Sequence, residues 1–250
     1  MLKIHKVNRL IFGLLFIAAI AGCFYRPHEF LIQANYQPGQ SGLGPNRVEF
    51  PASDGFKLTG QFYSNDGTAS SAAVILINHF GSNPAHYTSL RDKLLHSGYE
   101  VLAYDIRGHG DNQSVSASSA DSYKDVLGAV EFLKKAAPGK KIGIIGASAG
   151  ANIAFVGSGA SPEILATVLL SPAKFGFLGQ PLPENLPGFN IQNILILSDQ
   201  QDFNKAETFY LLANNFKEQK IYPGFGHGGF LLNHPEVNEA IIAFLNKRLK

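Results

Sequence analysis

The sequence predicts an α/β fold, a mostly parallel, twisted sheet with an antiparallel N-terminal hairpin and helices on both faces. Three observations lead there. Residues 73–77, 101–104, 142–145, 167–170 and 194–197 are apolar runs of strand length, the pattern of strands buried on both faces of a parallel sheet. Helical stripes separate several of these runs, as a right-handed crossover requires. Before them, residues 48–50 and 56–63 alternate in polarity around Asp54-Gly55, a turn dipeptide that joins antiparallel strands.

The remaining elements follow in order. Tyr87, Leu90, Leu94 and Leu95 form the stripe of a first helix, with Asn83-Pro84 as its start signal and Gly98 as its stop. Val126, Val130, Phe132 and Leu133 mark a second helix, and a third opens after Ser148. A further helix is expected from about Lys205, an edge strand over 217–222, and a last helix from Pro235 with Val237, Ile241, Leu245 and Leu249 four apart. The stretch between Leu170 and Ile194 is rich in Ser, Pro and Gly, too short and broken for a helical cap domain.

Composition narrows the function classes. Of 250 residues, 45% are hydrophobic and 16% charged, enough apolar material for one sizeable core. A formal charge of +2, with no basic cluster interleaved with aromatics, gives no support for nucleic-acid binding. One cysteine excludes an internal disulfide and a Cys-rich metal site; no metal and no organic cofactor is implied.

That cysteine lies in a distinctive place. Lys3, Lys6 and Arg9 precede an apolar run over 10–21, shorter than the ~20 residues a membrane-spanning helix needs. Ile20-Ala21-Gly22-Cys23 resembles a bacterial lipobox. The resemblance implies a lipoprotein-type signal peptide over 1–22, lipidation of Cys23, a tether over 23–46 and a domain over 47–250. The expected location is extracytoplasmic, with the membrane reached through the lipid anchor. An ordinary signal peptide or an uncleaved anchor with an incidental cysteine is the alternative.

The chemistry centres on Gly146-Ala147-Ser148-Ala149-Gly150, at the end of one apolar run and the start of a helix. With 26 glycines in the chain, a Gly-x-Ser-x-Gly match arises by chance about one time in five, so context decides. A serine hydroxyl needs a base, and the base an orienting carboxylate. In parallel α/β sheets such groups sit on loops at the carboxyl ends of strands. Asp199 and Asp202 follow the run at 194–197, and His227 follows the strand at 217–222 amid Gly224, Gly226, Gly228 and Gly229. The order Ser, Asp, His is that of the nucleophile-elbow enzymes. Asp202 lies further beyond its strand than Asp199; either also suits a turn or a helix cap.

With these residues the chain resembles the α/β-hydrolases, and most closely the small, capless bacterial esterases and dienelactone-hydrolase-like members. Asp105-Ile106-Arg107-Gly108-His109-Gly110 and Leu169-Leu170-Ser171-Pro172 resemble the family's turns after central strands. The resemblance implies Ser148 as nucleophile, His227 as base and Asp202, in a strand-x-x-Asp pattern, as the triad acid. It implies an oxyanion hole from the backbone N–H groups of Ala149 and Phe80, although His79 stands where the family usually has glycine. A serine rather than a cysteine nucleophile points away from dienelactone hydrolysis itself. The function expected is a carboxylesterase acting on a small-molecule ester through an acyl-enzyme. A serine peptidase or acyltransferase on the same triad, and a non-catalytic lipoprotein that binds a ligand or partner, are the alternatives. Asp105, Arg107 and His109 read as turn stabilisers. Phe175, Phe177 and Phe225 suit either an acyl pocket or ordinary packing. The sequence leaves the oligomeric state open.

Overall fold

The computed structural model describes residues 45–64, 72–77, 85–114 and 118–250. The expected signal peptide, Cys23, nearly all of the tether, Asn83-Pro84, His79 and Phe80 lie outside these residues. Eight strands form one sheet: β1 (Asn46–Pro51), β2 (Lys57–Tyr63), β3 (Ala72–Ile77), β4 (Glu100–Tyr104), β5 (Lys141–Ala147), β6 (Ile164–Leu170), β7 (Asn193–Asp199) and β8 (Phe216–Tyr222). Their spatial order is β1-β2-β4-β3-β5-β6-β7-β8. The pairs β1–β2 and β2–β4 are antiparallel and every other pair is parallel.

Burial explains why the central strands carry no polar alternation. All six residues of β3 are buried, as are the last six of β5 and of β7. Helices α1 (Ala85–His96) and α5 (Pro235–Leu249) pack together on one face. There Tyr87, Leu90, Val237, Ile241 and Leu245 meet Val74, Leu76, Ile145, Val168 and Leu195, alternate residues of their strands. On the other face lie α2 (Tyr123–Ala136) and α3 (Ala149–Gly159), in mutual contact. Helix α4 (Phe203–Leu212) joins α3 through an aromatic cluster: Phe209 meets Phe155 edge to face at 5.0 Å between centroids.

Three local details differ from the sequence expectation or refine it. The hairpin register pairs Pro51 with Lys57, so the turn is a five-residue loop rather than a tight dipeptide turn, with Gly55 left-handed within it. Helix α4, expected from about Lys205, starts two residues earlier at Phe203, because a single 3-10 turn over Gln200–Asp202 feeds straight into it. The connection between β6 and β7 contains only one short 3-10 turn, Pro183–Asn185, and no cap.

Arg107, expected to steady a turn, does so through two carboxylates. It donates through Nε to Asp125 Oδ1 on α2 at 2.8 Å and through Nη1 to Asp54 Oδ2 in the hairpin loop at 2.9 Å, with a further Nη2 bond to Asp125. Both Arg107 and Asp125 are buried. Burial pushes the Asp125 carboxyl up to about 6, against the pull of the guanidinium beside it. Removing the arginine would strand that carboxylate. Arg107→Leu should therefore lower stability by about 3–5 kcal/mol near neutral pH in urea titration. Because Asp125 takes up its proton more readily folded than unfolded, the deficit should shrink as pH falls toward 4. A deficit constant with pH would contradict the pairing.

Candidate active site

Strand β5 ends in a turn that few sequences can make. Ser148 sits at φ 51°, ψ −119°, outside the regions favoured by L-residues. A β-carbon on Gly146 would overlap the carbonyl group of Gly150, so the chain can double back here only with glycine at 146. Backbone hydrogen bonds hold the turn in place, among them one from Asn152 N–H to Ser148 O at 3.3 Å. Ser148 N–H donates to Leu170 O on β6 at 2.9 Å, while Ala151 N–H and Ala173 N–H donate to Ser148 O at 3.0 and 3.3 Å. The hydroxyl projects at the N-terminus of α3, where the helix dipole favours negative charge.

Parallel pairing of β5 through β8 delivers the other groups to the same sheet edge. His227, in the loop after β8, places Nε2 2.8 Å from Ser148 Oγ. Its Nδ1 lies 2.6 Å from Asp202 Oδ2. The structure thus brings Ser148, His227 and Asp202 into one hydrogen-bonded chain. Asp202 is nearly buried, its side chain 8% exposed, whereas that of His227 is 43% exposed. The imidazole therefore meets solvent on one side and a shielded carboxylate on the other. Burial raises the Asp202 carboxyl, but hydrogen bonds from Lys205 and His227 outweigh it and leave the carboxyl below its ordinary range.

Asp199 has a different task. It accepts the Gln201 N–H at 3.0 Å and, across the sheet edge, the Gly226 N–H at 3.1 Å. The Gln201 amide first, then those of Gly226, Phe225 and Gly224, hold its carboxyl below the ordinary value despite burial. One carboxylate thus clamps the loop that carries His227, and the other meets the imidazole. A sequence with two aspartates three apart does not by itself divide these roles.

Ala149 is buried and begins α3, so its N–H is one of the first-turn donors for which the helix supplies no carbonyl. Phe80, the second expected oxyanion donor, lies outside the described residues. Of the three phenylalanines, Phe175 packs against Phe155 and Phe209, and Phe225 stacks between Tyr222 and His234. Phe177 is 63% exposed. Two residues were missed in the sequence. Asn152, one turn into α3, donates through Nδ2 to Lys174 O at 3.1 Å and pins the β6–β7 loop beside Ser148. Lys205 donates to Asp202 Oδ1 at 2.8 Å. Among the described residues no group of three or more His, Cys, Asp or Glu side chains is arranged to hold a metal ion.

Residues 68–183 match the family described as serine aminopeptidase, S33. The structure superposes on the Pyrococcus furiosus esterase Pf2001 with a TM-score of 0.67 at 23% identity, covering 86% of this chain and 97% of that one. The chain has the α/β-hydrolase fold. A dienelactone hydrolase of Anabaena variabilis shares this α/β-hydrolase fold with a TM-score of 0.66 at 18% identity, over 83% of this chain and 99% of the other. Lipase 3 of Moraxella sp. (strain TA144) is 24% identical over 213 residues, 82% of this chain and 64% of the lipase. The uncharacterized protein YfhR of Escherichia coli O157:H7 is 29% identical over 176 residues, 65% of this chain and 62% of its own length. The chain therefore spans slightly less than two thirds of each of these two relatives.

The Asp199 clamp predicts a pH effect on stability. Its carboxyl ionises more readily folded than unfolded, so the stabilisation is complete above the unfolded value of about 4 and is lost as pH falls through the lower folded value. Urea midpoints measured between pH 6 and pH 2 should fall less steeply for Asp199→Asn than for the wild type. Amide exchange at 224–227 should be faster in the variant. Equal acid slopes would remove Asp199 from this role.

Proposed function

We propose that the chain is a serine hydrolase of carboxylic esters, with Ser148 as nucleophile. The observation that carries the reading is the hydrogen-bonded chain from Ser148 Oγ to His227 to Asp202 at a strained strand-to-helix turn. Ser148 Oγ attacks the ester carbonyl carbon as its proton passes to His227 Nε2. The tetrahedral oxyanion takes a hydrogen bond from Ala149 N–H and, by the family resemblance, from Phe80 N–H. Each such donor contributes about 3 kcal/mol to the transition state. Collapse breaks the bond to the alcohol, which leaves with the proton from His227. Water, deprotonated by the same imidazole, then releases the acid and regenerates Ser148. Asp202 fixes the ring tautomer and stabilises the imidazolium formed in each half-reaction.

The family match, the esterase neighbours and the likeness to Lipase 3 all support hydrolysis. The exposed face of His227 favours water as acyl acceptor over a sheltered transferase site. The description of the matched family, a serine aminopeptidase, gives a second reading, a peptidase on the same three residues. Hydrolysis of p-nitrophenyl esters of increasing chain length, beside an aminoacyl anilide, separates the two. The esterase reading expects ester turnover with little on the anilide. It also expects kcat/KM to fall by about 10⁴-fold or more in Ser148→Ala, with the fold intact. Equal ester rates for wild type and variant would remove Ser148 from the chemistry, and a preference for the anilide would favour the peptidase.

We infer further that the chain works outside the cytoplasm, tethered through acyl groups on Cys23; the lipobox-like sequence supports this. More than one acyl chain on a single residue gives lasting membrane attachment. Mass spectrometry of the membrane fraction should find Cys23 as an acylated N-terminus, and Cys23→Ala should leave the chain unacylated. An unmodified wild-type cysteine would contradict the anchor.

A further inference from the structure

We propose that Lys205 is a positioning residue for the Asp202–His227 pair, fixing the Asp202 carboxylate through Oδ1 and keeping the pair free of an extra proton to lower pH. The proposal rests on the serine-hydrolase reading above. Its basis is the unusual support of Asp202. The residue caps α4, yet its side chain takes no hydrogen bond from the helix backbone. Its carboxylate has two partners among the described residues, His227 Nδ1 on Oδ2 at 2.6 Å and Lys205 Nζ on Oδ1 at 2.8 Å. Asp199, a few residues away, is by contrast gripped by backbone amides. Where backbone donors are missing, a side chain has taken their place.

The early start of α4 creates this contact. With Phe203 as first helical residue, Lys205 falls in the first turn, three residues after Asp202, where i and i+3 side chains meet. The ammonium has consequences beyond orientation. Of the groups that hold the Asp202 carboxyl below its ordinary range, Lys205 contributes most, so without the ammonium the pair would take up a proton at higher pH. Among the described residues, Ser148 at the end of β5 sets an uncharged hydroxyl against the imidazole, and the charge of Asp199 at the end of β7 is directed into the amides of Gln201 and Gly226. Lys205 is thus the one lysine or arginine among the described residues paired with the Asp202 carboxylate. Its side chain is 45% exposed, so the effect is partly screened and modest in size.

The test is the pH profile of kcat/KM for p-nitrophenyl acetate, from pH 4 to 9, on the full chain. Lys205→Met should move the acid limb to higher pH by about half a unit, a roughly threefold loss of relative rate well below the midpoint. Lys205→Glu should move it further. Lys205→Arg, which keeps the charge, should hold the wild-type limb. The displacement in Lys205→Met should shrink in 1 M salt, where the screening length is about 3 Å. Thermal unfolding should stay close to wild type in Lys205→Met and Lys205→Arg, since the lysine end of the pair is partly exposed. A Lys205→Met limb that overlays wild type, or a Lys205→Arg limb that moves with it, overturns the proposal while leaving the hydrolase reading intact. Absence of wild-type ester turnover, together with no Ser148-dependent fluorophosphonate labelling, overturns both.

Discussion

At the end of β5 the backbone of Gly150 lies so close to Gly146 that no β-carbon fits between them. That contact turns the chain from strand to helix within one residue and leaves Ser148 at a positive φ. Three consequences follow from one steric fact. The hydroxyl stands clear of the sheet, the first N–H groups of α3 face the same space, and the helix dipole points its positive end there. The strain at Ser148 persists because hydrogen bonds from β6 and from the β6–β7 loop surround it.

The rest of the site is a matter of parallel register. Strands β6, β7 and β8 run beside β5 in the same direction, so their carboxyl ends, and the loops that follow, share one edge with Ser148. Asp199 then joins two of those loops, from the end of β7 to the amide of Gly226. Asp202, one 3-10 turn later, is free to meet the imidazole. The distance between the two aspartates, three residues, separates holding the loop from holding the ring.

Much of this was legible in the sequence because burial on both faces leaves little choice of residue. Strand β3 reads Ala-Ala-Val-Ile-Leu-Ile, and only a central parallel strand tolerates that run. The glycine pair around Ser148 was legible for the same reason, as a steric demand with few solutions. The exact start of α4 was not, because Asp199 and Asp202 both suit a helix cap and the expected start fell two residues late. Lys205 was missed with it, since its contact with Asp202 exists only if the helix has already begun. The buried carboxylate of Asp125 was equally silent. Nothing local in the sequence marks it for burial, and only Arg107, 18 positions earlier, explains why it lies inside.

The central claim is that the strained turn and its two partners make Ser148 an activated nucleophile. Treatment with a fluorophosphonate, followed by peptide mass spectrometry, tests it without knowledge of the natural substrate. The account predicts a single phosphonyl adduct on Ser148, formed quickly in the wild type and at a rate lower by orders of magnitude in His227→Ala. An adduct on another residue, no adduct at all, or labelling indifferent to His227 would contradict it.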